Sequence, residues 1–526
     1  MHFILPGLVF FLLTVVLFEA LPKSNASSSA ELCGLSGCHA VDIAKKYTEQ
    51  TMHKMLKMIK PEALEEVFQN MERMEGLITK VDDLAREVES LFQPVWPVGT
   101  GVTRWSRCAE GPCSCTEDTR AVSCWRLEGL DRVPRKQHLP VDVQTLDLSM
   151  NKLRYLHKNS FNRLTHLEEI DLSENDLQQL PPSIFFDLEN LQHVKLRKNS
   201  LRHLPPDLFM DSRSLQTIDI SVNALESLPG STFMGLPHLH TLSLSDNSLT
   251  TLQAATFSQL RKLEELDLSE NKIQDLPRTV FSSLSQLRQL HLHHNNIEHL
   301  APDVFSPLTS LEMLRLDHNK LKVLPPSLLS HQASLAMLEL TGNSLESVQA
   351  SDFLGLRNLK ELYLGQNNIG KILNRTFAGT PKLEKLYLFS NKIAKVEIAA
   401  FSGMNNLTWL LLNNNLLSDL PRRIFVRSPN LLRLQIDSNK FMRLPPGLLD
   451  DLEKVEQVKL SRNPWHCDCN ILYLTNWLHA HGDKIWDRQP KCRGPGDLGG
   501  RLVYDMTFNS VCDGQWASMT NIKGRV

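Results

Sequence analysis

The chain has 526 residues, with 57 lysines and arginines against 59 aspartates and glutamates, a formal net charge of −2 at neutral pH. Balanced charge without any basic run excludes nucleic acid and acidic membrane surfaces as the expected partners. Length alone predicts three or four globular domains, but an internal period of 24 residues replaces that expectation with one continuous stacked array.

Residues 3–18 are apolar and lead into Pro22 and small residues ending at Ala26 or Ala30. This is the layout of an export signal, so residues 1–26 are expected to be cleaved, with a boundary between 20 and 30. The run falls short of the ~20 apolar residues a bilayer span needs. No other apolar stretch is long enough either, so no membrane span is expected and the product is expected to be secreted. Ten cysteines fit an oxidising compartment.

Residues 31–95 differ in kind from the rest. Leu64, Val67, Met71, Met74, Ile78, Val81, Ala85, Val88 and Phe92 alternate in steps of three and four, the seam of a coiled coil. Leu77, Leu84 and Leu91 widen the apolar face beside it, and Pro61 separates an earlier Met-rich helix. Two arrangements satisfy the pattern. One is a homo-oligomeric stalk through residues 64–92, with Cys33 and Cys38 stapling chains together. The other is a local Cys33–Cys38 loop beside a helical hairpin that buries its own stripe.

Pro97, Gly99 and Gly101, with Pro94 just before them, mark a linker over 96–107. A cysteine cap over 108–140 follows, containing Cys108, Cys113, Cys115 and Cys124. Across 141–463 an asparagine recurs every 24 residues, fourteen times from Asn151 to Asn463, each closing a phrase such as Leu263, Leu266, Leu268, Asn271. Such a phrase marks a leucine-rich repeat, one strand and one return segment per coil. The predicted fold is an α/β leucine-rich-repeat solenoid with a curved parallel sheet and capped ends. Its leucines and asparagines face inward. A second column, ten residues after each asparagine, holds Phe161, Phe185, Phe209, Phe233, Phe257, Phe281, Phe305, Phe353, Phe377, Phe401 and Phe425, with Leu329 and Leu449 substituting twice. These residues are read as architecture. A second cap over 464–512 holds Cys467, Cys469, Cys492 and Cys512, and 513–526 is a polar tail. Disulfides are the natural assignment for both quartets, with a four-thiolate zinc site as the alternative.

The segments Asn463-Pro464-Trp465-His466-Cys467-Asp468-Cys469, Leu472-Tyr473-Leu474 with Trp477 and Leu478, and Cys492-Arg493-Gly494-Pro495-Gly496 carry a family likeness. The chain resembles the secreted, cysteine-capped leucine-rich-repeat proteins. That group includes the non-catalytic subunit of carboxypeptidase N, leucine-rich alpha-2-glycoprotein, the beta-type phospholipase A2 inhibitors and platelet glycoprotein V. The resemblance spans residues 108–512 and specifies fold far better than ligand. It implies the pairings Cys108–Cys115, Cys113–Cys124, Cys467–Cys492 and Cys469–Cys512. Residues 31–95 have no counterpart in those relatives.

Side chains on a strand alternate faces, so the residues six, four and two before each asparagine are expected on the concave surface. Coils one to six present mostly small and acidic triplets, such as Thr145, Asp147, Ser149 and Glu265, Asp267, Ser269, read as consensus decoration. The third coil breaks the run with His193, Lys195 and Arg197. Coils ten to twelve present Glu361, Tyr363, Gly365; Lys385, Tyr387, Phe389; and Trp409, Leu411, Asn413, with Arg433 following. Aromatic side chains flanked by Lys and Arg have the composition of a binding hot spot. His291 and His293 in coil seven form an H-x-H step without a third convergent ligand, so no metal site is expected there. Asn374-Arg375-Thr376 and Asn406-Leu407-Thr408 are glycan acceptor sites, the second at the rim near the aromatic triplets. No phosphate loop, zinc-protease helix or nucleophile–histidine context is found, and neither cofactor nor catalysis is expected. The sequence thus predicts a secreted, non-catalytic scaffold whose concave face binds another extracellular protein, including an enzyme it stabilises or inhibits. The alternative is a matrix or adhesion scaffold bridging fibrous or cell-surface proteins.

Overall fold

The computed structural model describes residue 96, residues 98 and 99, and residues 104–127, 129–134 and 137–512. The signal, the coiled-coil seam, Cys33, Cys38 and the polar tail lie outside the described residues. Fourteen three-residue strands recur at the 24-residue interval, from Thr145–Asp147 to Gln457–Lys459. Each pairs in parallel with the next, residue i opposite i+24. The strand Ala121–Ser123 extends this register into the amino-terminal cap, where it also pairs antiparallel with Ser114–Thr116. The result is one sheet of 16 strands.

The asparagine ladder explains why the coils stay in register. Every ladder asparagine donates its amide to the carbonyl 27 residues earlier, at 2.8–3.1 Å. Its side-chain oxygen accepts an N–H from the previous coil, as Asn271 does from Leu249 at 3.0 Å. Buried backbone groups that a sharp turn would orphan are thereby paired. The turn itself occurs at the residue before each asparagine, which holds a left-handed φ of 51–58° from Met150 to Arg462, except for Gly342 at 71°. That conformation costs an L-residue about 1–2 kcal/mol, and the turn is held by its own N–H donating to the next coil, as Met150 does to Ser173.

Leucines fill the interior, and the phenylalanines stack on the return side. Phe161 to Phe305 form seven successive rings with centroids 5.7–6.5 Å apart, interrupted where Leu329 substitutes. Trp96 is buried against Phe161 at 6.2 Å and plugs the open end of this spine. Val98–Gly99 then pairs with Leu139–Pro140. Part of the stretch whose Pro and Gly content suggests a linker is therefore packed into the amino-terminal cap. The composition misleads there because a single buried indole outweighs the turn residues around it.

Four disulfides join Cys108 to Cys115, Cys113 to Cys124, Cys467 to Cys492 and Cys469 to Cys512. Between the first two, buried Gln137 accepts the Cys113 N–H and donates to the Cys108 carbonyl. At the other end, Trp465 is buried beside Phe441 and donates to the Leu460 carbonyl. The helix Leu472–His481 is tied to the end of the array through Tyr473, whose hydroxyl accepts the Leu449 N–H and donates to Asp450. Each cap shields an apolar coil end that a solenoid would otherwise expose to water. Among the described residues no helix is long and apolar enough to cross a membrane.

Candidate functional site

On the strands the middle residue is buried and its neighbours are mostly half-exposed, so the triplets do face outward. Register then stacks equivalent positions of successive coils side by side. Tyr363 and Tyr387 are direct partners, and their rings stack at 4.3 Å, nearly parallel. Glu361 sits under this pair. It accepts from the Tyr363 hydroxyl and forms an ion pair with Lys385 at 2.8 Å. Burial and the neighbouring carboxylate push the Tyr363 hydroxyl up, burial pushes Tyr387 up, and the hydrogen bond to Glu361 raises Lys385. Both phenols stay neutral donors.

The adjoining strands continue the wall. Lys385 lies 5.2 Å from the centre of the Trp409 ring, and the Arg433 guanidinium covers that ring at 4.0 Å. Phe389 folds over Gly365, where a methyl group would come within 2.5 Å of the ring, so glycine is required for the phenyl to lie flat. Leu411 is half-buried between Tyr387 and Gln435 in the sheet. Asn413 has an enclosed side-chain oxygen with no hydrogen-bond partner. Tyr363, Lys385, Tyr387, Phe389, Trp409, Leu411, Asn413 and Arg433 therefore lie on one outward-facing strip across four successive coils.

Sequence reasoning missed a further contributor. Trp486, from the carboxy-terminal cap, stands 45% exposed beside the last strands. Arg433 is 5.7 Å from its ring centre and Lys459 3.9 Å. The resulting run is Lys385, Trp409, Arg433, Trp486 and Lys459, each cation resting on an indole face. Stacking on Arg is favourable by about 0.5–2 kcal/mol per contact and leaves the guanidinium edge free to donate. Trp486 has no repeat phase, so no periodic signal pointed to it.

The acidic coils behave differently. Asp147, Asp219 and Asp267 each accept both the N–H and the hydroxyl of the serine two residues on. These carboxylates close their own strand ends, which accounts for the recurring Asp-then-Ser. In the third coil Lys195 pairs with Glu169, and Arg197 donates to Ser221, so its lysine and arginine are answered by neighbouring coils.

The histidine coil makes ring contacts of two kinds. His291 and His293 do not converge on a common point, and their rings meet edge to face at 5.9 Å. Burial pushes both down, His293 to about 4. The rings that come together are His294 and His318, stacked at 4.3 Å, beside the Asp317 carboxylate. His318 lies one repeat beyond His294, so a 24-residue shift was the available signal. Asn374 and Asn406 are both exposed. The Asn374 oxygen accepts the Ala399 N–H, and Asn406 donates to the Pro381 carbonyl at 3.2 Å.

A capped parallel solenoid with an in-register asparagine ladder defines a leucine-rich-repeat scaffold, a class that works by binding proteins on its surface. The leucine rich repeat family profile matches residues 165–225, 213–273, 261–321, 333–393 and 405–464. These matches cover more than half of the chain, which belongs to that family, in its form with cysteine-bridged caps.

Among curated relatives, the platelet glycoprotein Ib beta chain of Rattus norvegicus is 45% identical over 60 residues, 11% of this chain and 29% of that protein. Carboxypeptidase N subunit 2 of Mus musculus is 37% identical over 62 residues, 12% of this chain and 11% of the relative. The chain thus spans under a third of the length of either. Among solved structures, the glycosylated Toll–Spatzle complex of Drosophila superposes with a TM-score of 0.63 at 25% identity, over 73% of this chain and 53% of the other. The Leptospira interrogans leucine-rich-repeat protein LIC12759 gives 0.59 at 26% identity, over 74% of this chain and the whole of that one.

Proposed function

We propose that this chain is a non-catalytic extracellular scaffold that holds a protein partner on the concave face of coils ten to fourteen. The observation that carries the reading is the wall of Tyr363, Tyr387, Trp409, Arg433 and Trp486, assembled from four strands and a cap. Tyr, Trp and Arg dominate binding hot spots, and side chains already stacked on one another lose little freedom when a partner docks. The four disulfides support an oxidising compartment. Similarity to carboxypeptidase N subunit 2 supports an enzyme as the kind of partner held. Self-association through residues 64–92 would make the scaffold multivalent and raise avidity without new contacts.

The test is affinity capture from extracellular fluid with the native chain and with a Tyr387→Glu, Trp409→Glu variant, followed by titration of the captured protein. Loss of at least about a hundredfold in affinity, some 2.7 kcal/mol, with an unchanged melting transition supports the site. Equal binding by both proteins removes it. A captured enzyme supports the regulatory reading, and a fibrous matrix protein replaces it with the bridging scaffold.

A further inference from the structure

We propose that the His294 and His318 imidazoles, together with the Asp317 carboxylate, form a binding site for a divalent transition-metal ion of the zinc class on the rim of coils seven and eight. One donor atom from each of the three side chains lies within 4.8 Å of the other two. His318 Nδ1 and an Asp317 oxygen are 3.1 Å apart. That separation suits an N–H···O bond, and it equally suits two donors sharing one ion. With metal–ligand bonds of about 2.0–2.1 Å, neighbouring donors of a tetrahedral site are roughly 3.3 Å apart.

The backbone makes the juxtaposition. Asp246, Glu270, His294 and His318 all occupy the left-handed residue before a ladder asparagine, with φ of 52–54°. Successive coils therefore set them in a row along one edge of the sheet. Gly342 takes the same place in the next coil, and a methyl group there would come within 2.9 Å of the His318 ring. Glycine thus leaves the room that His318 needs. The two imidazoles are more than 40% exposed, whereas Asp317 is nearly buried at 5%. Binding requires the two stacked rings to turn about their side-chain bonds, which their exposure permits, so that their lone pairs meet an ion anchored on the carboxylate.

Charge supports the assignment. Arg315 bonds Asp317 at 3.2 Å through two nitrogens and occupies part of its acceptor capacity. A carboxylate has about four lone-pair sites, so capacity remains for an ion. Glu270 lies 3.8 Å from His294 and adds a second negative charge, offsetting the guanidinium. Two nitrogen donors select zinc, copper or nickel over calcium or magnesium, which prefer oxygen. Three protein donors leave one tetrahedral position for water, the arrangement of an open rather than a closed zinc site.

The test is calorimetric titration of zinc chloride into the full, tag-free chain after chelator treatment. It is run beside His294→Ala, His318→Ala and a His299→Ala control at an exposed histidine outside the cluster. The proposal expects one saturable site, weakened at least about tenfold in each cluster variant, kept in the control, and uncompeted by excess magnesium. Melting transitions of the variants should match the native chain without metal, since both rings are exposed. Absence of saturable binding overturns the site. So does binding retained by His294→Ala and His318→Ala, or binding lost instead through His291→Ala with His293→Ala.

Discussion

Replacing Asn271 by alanine tests whether the ladder or the leucine packing holds successive coils together. Its amide donates to the carbonyls of Leu244, Leu268 and Ser269, and its oxygen accepts from the Leu249 N–H. Each of those carbonyls has another donor. Leu244 also receives Asn247, Leu268 receives Asn295, and Ser269 receives the Asp246 N–H. Only the Leu249 N–H is left without an acceptor, on a residue with no exposure to solvent. An orphaned buried group costs about 1–3 kcal/mol, and the weakened shared bonds add roughly another 1, giving a loss of about 2–4 kcal/mol. Long repeat arrays do not unfold in one step, so hydrogen exchange at the Leu249 amide is the direct readout, with calorimetry beside it. Asn271→Asp keeps the acceptor but turns a carboxylate oxygen onto three carbonyls. It should be destabilised at neutral pH and recover stability as pH falls, because burial among acceptors raises the folded carboxyl pKa and the protonated acid donates again. An Asn271→Ala protein with unaltered protection at Leu249 would refute the reasoning.

Removing the spine plug with Trp96→Ala should cost about 3–5 kcal/mol in a denaturation experiment. Trp96→Phe should lose only a fraction of that, since the indole nitrogen has no hydrogen-bond partner among the described residues. Equal losses would show that the indole acts through something other than its apolar bulk. At Asn406, glycan attachment consumes one amide hydrogen and leaves the other for Pro381, so occupancy is compatible with the fold. Glycosidase should remove mass from the native chain that Asn406→Gln lacks, and identical mass loss counts against modification there. If Cys33 and Cys38 staple chains, a non-reducing gel shows a covalent oligomer that changing both to serine collapses; a monomer on that gel returns the segment to a local loop.

The repeats made the fold legible because each residue's neighbours in a solenoid lie 24 positions away, so the sequence itself is a contact map. The ladder from Asn151 to Asn463, the phenylalanine column and the outward triplets of coils ten to twelve could all be placed from the period and from strand alternation. The stacking of Tyr363 on Tyr387 follows from the same interval. What had no period could not be placed this way. Trp96 and Trp486 lie outside the repeat phase, and only the folded caps bring one under Phe161 and the other over Arg433. The acidic triplets are ambiguous in sequence for another reason, because a carboxylate that closes its own strand end and one that awaits a partner have the same letter. The sequence by itself determined the solenoid and the face it presents. The tertiary structure decided which side chains on that face meet, since ring stacking, ion pairing and cap closure depend on directions in space that a one-dimensional repeat does not carry.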